Sequence, residues 1–149
     1  AQSIAEDLKA VGFPAEVEVV LWKDVVERGK RGEYDMLLAG WIGDIPDPDN
    51  FLFTLFASQN AALGNRTNYA AYKNTVVDQA LSRARGSYDE SLRAELYRQI
   101  QEIIATDLPA IPLVHTQPTV AVSNLVSGFS PSLIGDERLD LVTLKKVAP

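Results

Sequence analysis

Ile4, Ala5, Leu8 and Val11 recur at helical spacing and are followed by Gly12 and Pro14, so a helix with a left-handed stop is expected at the start of the chain. Val17, Val19 and Leu21 then alternate with Glu16 and Glu18, the period-two pattern of a strand with one wet face near a sheet edge. Trp22 to Arg28, with Val25 and Val26 ahead of Gly29 and Gly32, predicts a short helix. Tyr34 to Gly40 is an almost wholly apolar run between turn residues, which suits a central strand covered on both faces.

Two prolines, Pro46 and Pro48, exclude regular structure from Asp44 to Asn50. Asp47 and Pro48 make a good N-cap and first turn for a helix carrying Phe51, Leu52, Leu55 and Phe56. Gln59 to Asn68 is polar and loop-like. Asn74 can cap a helix reaching Arg85, with Val76, Val77, Ala80, Leu81 and Ala84 on its buried face. Ser87 and Glu90 have the spacing of a capping box, and Leu92, Leu96, Ile100, Ile103 and Ile104 lay a stripe along the helix that follows, up to a stop at Asp107–Pro109. Strands are expected at Ala110–His115, Thr119–Ser123 and Leu139–Leu144, the last after a loop holding Pro131 and Gly135. The pattern is α/β, a small mixed sheet flanked by helices. A unit that starts in a helix with no strand before it is expected to be part of something longer.

Composition narrows the function. The 149 residues carry 14 basic and 20 acidic side chains, a formal charge of −6, with no Lys/Arg cluster. Phosphate contacts dominate nucleic-acid affinity, so no nucleic-acid partner is expected. The length suits a single domain over 1–149, and no apolar run approaches the ~20 residues of a membrane helix. Zero cysteines exclude disulfides, thiolate zinc sites, iron–sulfur clusters and a cysteine nucleophile, while leaving the compartment open. No basic-then-apolar leader opens the sequence, so any export signal would lie outside it.

Few residues offer chemistry. His115 is the single histidine, and a serine hydrolase would have to use it as base. No G-x-S-x-G elbow exists, since Gly128-Phe129-Ser130-Pro131-Ser132 lacks the final glycine. One histidine leaves a zinc site dependent on carboxylates, Asp44, Asp47 and Asp49 lack the glycine and glutamate spacing of an EF-hand, and no phosphate-binding glycine loop is present. No metal or cofactor is therefore expected. Asp47 and Asp49 are accounted for by a solvated loop and a helix cap. Asp44 differs, because it follows an apolar strand and Gly43, where open α/β sheets place groups that touch ligands. A carboxylate there suits a ligand ammonium. Trp41 beside it is either plain core or a flat wall for a ligand side chain.

The run Gly32-Glu33-Tyr34-Asp35-Met36-Leu37-Leu38-Ala39-Gly40-Trp41-Ile42-Gly43-Asp44, continued by Asp47-Pro48-Asp49-Asn50-Phe51-Leu52, closely resembles the dipeptide/oligopeptide/nickel group (family 5) of extracellular solute-binding proteins of bacterial ABC importers. Similar in the same order are Ala1–Gly12; Asn68-Tyr69 with Tyr72-Lys73-Asn74 and Val77-Asp78; Leu96-Tyr97 through Asp107-Leu108-Pro109-Ala110-Ile111-Pro112-Leu113; and Val126-Ser127-Gly128-Phe129.

The resemblance implies that 1–149 is the C-terminal lobe of a larger two-lobed protein with the periplasmic-binding-protein fold. It implies a non-catalytic role: binding di- or oligopeptides in an interlobe cleft and handing them to inner-membrane permease subunits. The implied location is periplasmic or extracellular, with lipid anchoring in some members. The implied partners are a small peptide, the permease and the missing N-terminal lobe. Family roles carried onto matching positions make Asp44 the partner of a peptide α-ammonium and Trp41 a pocket wall, with Ile42 and Gly43 offering main-chain contacts. Relatives carrying nickel complexes, opines or sugars keep those ligands open, and a hydrolase using His115 or a chaperone-like apolar surface is the alternative outside the family.

Overall fold

The computed structural model describes residues 1–115, 117, 119–132 and 139–145. Helix α1 (Gln2–Ala10) ends as its sequence predicts: Gly12 takes φ +86°, and the Gly12 and Phe13 N–H groups bond back to the Lys9 and Leu8 carbonyls at 3.0 and 2.9 Å. Helix α2 (Trp22–Arg31) runs past the expected end at Arg28 and stops at Gly32, where φ is +72°. Gly29 lies inside it for a packing reason, since a Cβ there would sit 2.7 Å from Tyr69 Cε1.

Helix α3 (Pro48–Phe56) begins on the predicted cap, with Asp47 Oδ1 accepting the Asp49 N–H at 2.9 Å. A 3-10 turn over Ser58–Ala61 occupies part of the stretch expected to be loop throughout. Helix α4 (Thr75–Arg85) is capped by Asn74 Oδ1, which accepts the Val76 and Val77 N–H groups at 3.0 and 3.3 Å. Val76 stands outside the expected buried face, 59% exposed, because the residues that meet the rest of the protein are Val77, Ala80, Leu81 and Ala84. Helix α5 (Glu90–Asp107) corrects the expected capping box. Asp89, not Ser87, is the cap, accepting the Leu92 N–H at 3.0 Å, while Ser87 Oγ accepts the Asp89 N–H in a local turn. A carboxylate is favoured at that end by the helix dipole as well as by the hydrogen bond.

Helices α4 and α5 pack along each other and α3 lies on α4. Their joint core is Ala57, Val77, Ala80, Leu81, Ala84, Leu96, Tyr97 and Ile100, with Leu52, Phe53, Ile103 and Ile104 half-buried around it. Leu92, expected on the stripe, stays at its exposed end. One buried polar side chain joins the loops to this core. Asn68 donates from Nδ2 to the Ala57 and Tyr72 carbonyls at 3.1 and 2.8 Å and accepts the Tyr72 N–H at 3.1 Å, which satisfies its amide.

The strands differ most from expectation. Among the described residues the one ladder is antiparallel, β1 (Val126–Ser127) against β2 (Thr143–Leu144). Residues 16–21, 34–40, 110–115 and 119–123 have no ladder partner, and of 139–144 only the last two residues pair. Strand-like alternation reports which faces seek cover, whereas a ladder also needs a neighbouring strand, and no described residue supplies one to these segments. Most of their apolar side chains remain outside: Val19 is 89% exposed and Val114 77%. Thr116, Pro118 and Gly135, which fall in the expected strand connection and loop, lie outside the described residues.

Candidate functional site

Three acids crowd the segment from Asp44 to Asp49, and their surroundings differ. Asp47 spends one oxygen on the α3 cap, and its Oδ2 accepts from Arg93 Nη2 of α5 at 2.5 Å. Asp49 Oδ2 lies 3.2 Å from Arg85 Nε of α4, while its Oδ1 is buried without a partner. Burial pushes the Asp49 carboxyl above the usual aspartate range, against the pull of Arg85. Asp44 is exposed, and no described residue donates to or pairs with its carboxylate.

The backbone around Asp44 is nevertheless fixed. Asn50, in the first turn of α3, accepts with a single oxygen both the Trp41 Nε1–H at 3.0 Å and the Asp44 main-chain N–H at 3.2 Å. Gly43 is buried between them, and a Cβ there would meet Phe51 Cε2 at 2.9 Å and the Ile45 carbonyl oxygen at 3.2 Å. Trp41 is 37% exposed, which sets aside plain core as its environment, and Ile42 is 73% exposed. The structure thus brings Trp41, Gly43 and Asp44 together on one edge of the α3 N-terminus, with Ile42 projecting beside them.

Arg93 and Arg85 hold that N-terminus from below. Arg93 also donates to the Ala84 carbonyl at 2.5 Å, and the Arg85 guanidinium lies 3.8 Å over the Phe53 ring. Neither arginine, nor Asn50, is marked by sequence spacing; Asp47 and Arg93 are 46 residues apart, and only the folded α4–α5 pair makes them neighbours. Asn50 carried the one available signal, its place in the Asp47–Leu52 run.

A groove of about 500 Å³ opens between α3 and α4, lined by Phe53, Ala57, Asp78, Ser82 and Arg85 among others. Neither Trp41 nor Asp44 lines it. His115 is exposed and has no hydrogen-bond partner among the described residues, so no serine or carboxylate is aligned with it there. Among the described residues no group of three histidine, aspartate or glutamate side chains is placed to hold a metal ion. No helix among them is long and apolar enough to cross a membrane.

The profile described as bacterial extracellular solute-binding proteins, family 5 middle, matches residues 1–62. Over 132 residues the chain is 39% identical to di/tripeptide-binding protein 2 of Pseudomonas aeruginosa, covering 89% of this chain and 24% of that protein. The chain is similar to the family 5 solute-binding proteins. A second relative, heme-binding protein A of Haemophilus influenzae, is 36% identical over 135 residues, 91% of this chain and 24% of its own. Among solved structures, a periplasmic binding protein from Helicobacter pylori in complex with the peptide STSA superposes with a TM-score of 0.82 at 33% identity, over 96% of this chain and 28% of that one. The expected fold class, a periplasmic-binding-protein lobe, is therefore the observed one, although few of its strands pair here. The chain spans about a quarter of the length of these proteins.

Proposed function

We propose that this chain is one wall of an interlobe cleft, the C-terminal lobe of the substrate-binding component of an ABC importer, and that the cargo is a di- or oligopeptide. Asp44 receives the peptide α-ammonium, Trp41 flanks the first side chain, and the main chain at Ile42 and Gly43 is within reach of the peptide backbone. The observation that carries this reading is the contrast among three neighbouring acids: Asp47 and Asp49 face arginines, and Asp44 alone faces solvent without a cation from the described residues. A carboxylate so placed gains most when a second lobe closes over it and removes screening water. Hinge closure then reports occupancy to the permease.

The remainder of the protein is proposed to supply the missing cover. Met36, Leu38, Ile42 and Ile45 are more than half exposed along one extended segment, as are Val19, Leu21, Ile111 and Leu113 on others. Pairing with further strands would bury them. The role is binding rather than catalysis, in the periplasm or at the outer cell surface; the relatives named above all carry binding-protein names, two for peptides or in complex with one.

Replacing Asp44 by Asn in the full-length protein tests this reading. A charge-assisted hydrogen bond contributes about 1.5–3 kcal/mol, so peptide affinity should fall about ten- to a hundredfold by calorimetry. Unchanged affinity removes Asp44 from the site. The heme-binding relative makes heme the second reading, and a Soret band in protein purified without added ligand would favour it over peptides found by mass spectrometry.

A further inference from the structure

The geometry points to Asn50 as the positioning residue of the ammonium site, a role that rests on Asp44 being the ammonium's partner. Both groups bonded to Asn50 Oδ1 are obligate donors, the Trp41 indole N–H at 3.0 Å and the Asp44 amide N–H at 3.2 Å, so the bridging atom must be the amide oxygen. One acceptor therefore sets the plane of the indole and the backbone from which the Asp44 carboxylate projects. Packing covers neither completely: Trp41 is 37% exposed and Asp44 is exposed. Gly43 closes the bridge, because any Cβ there would sit 3.4 Å from Asn50 Oδ1 and 2.9 Å from the Phe51 ring.

Asn50 can impose this order because its own position is fixed. It lies in the first turn of α3, where its N–H bonds to the Asp47 carbonyl at 3.1 Å, and Asp47 is held in turn by Arg93. The chain of restraint thus runs from the α4–α5 core through Arg93, Asp47 and Asn50 to the two side chains at the open edge. A ligand arriving at the cleft meets an anion and an aromatic face already oriented, and less ordering entropy is lost on binding. Asn50 itself touches no ligand in this scheme.

The experiment compares a peptide with a free amino terminus and the same peptide N-acetylated, in full-length protein carrying Asn50→Leu, Asn50→Asp, Trp41→Phe or Asp44→Asn. The ratio of the two affinities measures discrimination for the ammonium and does not change with the folded fraction. Asn50→Leu removes the acceptor, and discrimination should fall about fivefold or more, the worth of one or two neutral hydrogen bonds. Asn50→Asp keeps an acceptor oxygen and should retain it, and the Trp41 indole N–H resonance should move upfield in Asn50→Leu and not in Asn50→Asp. Full discrimination in Asn50→Leu, with Asp44→Asn losing it, overturns the role of Asn50 and leaves that of Asp44 standing. Full discrimination in Asp44→Asn overturns the reading beneath both. Should Asn50→Leu fail to fold, Trp41→Phe deletes one donor and keeps an aromatic face; a reduced ratio supports the bridge and an unchanged one overturns it.

Discussion

Arg93 Nη2 donates to Asp47 Oδ2 at 2.5 Å while its Nη1 donates to the Ala84 carbonyl at the same distance, so one guanidinium ties the end of α4 to the cap of α3. The fork geometry is what a lysine lacks. Arg93→Lys and Arg93→Ala should therefore both destabilise the protein, by about 1–2 kcal/mol after allowing for the pair's partial exposure. Urea midpoints at constant slope check this, and a Lys variant matching the parent would show that the second hydrogen bond is idle.

Gly43→Ala should be costly despite its small change in volume. The added methyl must displace Phe51 or the Ile45 carbonyl, found 2.9 and 3.2 Å from its position, at about 1–3 kcal/mol for overpacking. Thermal unfolding should register the loss together with weaker peptide binding, since the displaced backbone carries Asp44. A variant as stable and as tight as the parent would mean the turn relaxes freely.

The hydrogen bond between Tyr72 and Asp107 gives stability two pH limits. Asp107 accepts the Tyr72 hydroxyl at 2.5 Å and Asn74 Nδ2 at 3.0 Å, which holds its carboxyl below the ordinary 3.8. Burial first, and the bond to Asp107 second, push Tyr72 up to about 12. A depressed carboxyl contributes above its ordinary value and loses that contribution as pH falls through the folded one; a raised phenol contributes below its ordinary 10.0 and loses it as pH climbs towards about 12. The difference in Tm between parent and Tyr72→Phe should be greatest near neutral pH and shrink at both extremes. A difference constant with pH would assign the effect to packing alone.

Helices were legible because their signals are local. Asp47, Asn74 and Gly12 act within a turn of themselves, and the stripe Leu96–Ile100 needs only its own periodicity. One exception, Asp89 displacing Ser87, was a competition between two adequate caps two residues apart. Strand-like segments such as 16–21 and 110–115 showed alternation without revealing whether a partner exists in this chain, because pairing is a property of two segments. The same divide runs through the site. Trp41 and Asp44 stood out by position after an apolar run, whereas the clamp of Asn50 and the tie of Arg93 depend on where three helices meet.

The most direct measurement is a double cycle by calorimetry, with free and N-acetylated peptide against parent and Asp44→Asn full-length protein. If the Asp44 carboxylate receives the ammonium, acetylation should weaken binding to the parent about tenfold or more and scarcely affect the variant, because the two changes remove the same interaction. Equal losses on acetylation in parent and variant would contradict it and place the amino terminus against some other group.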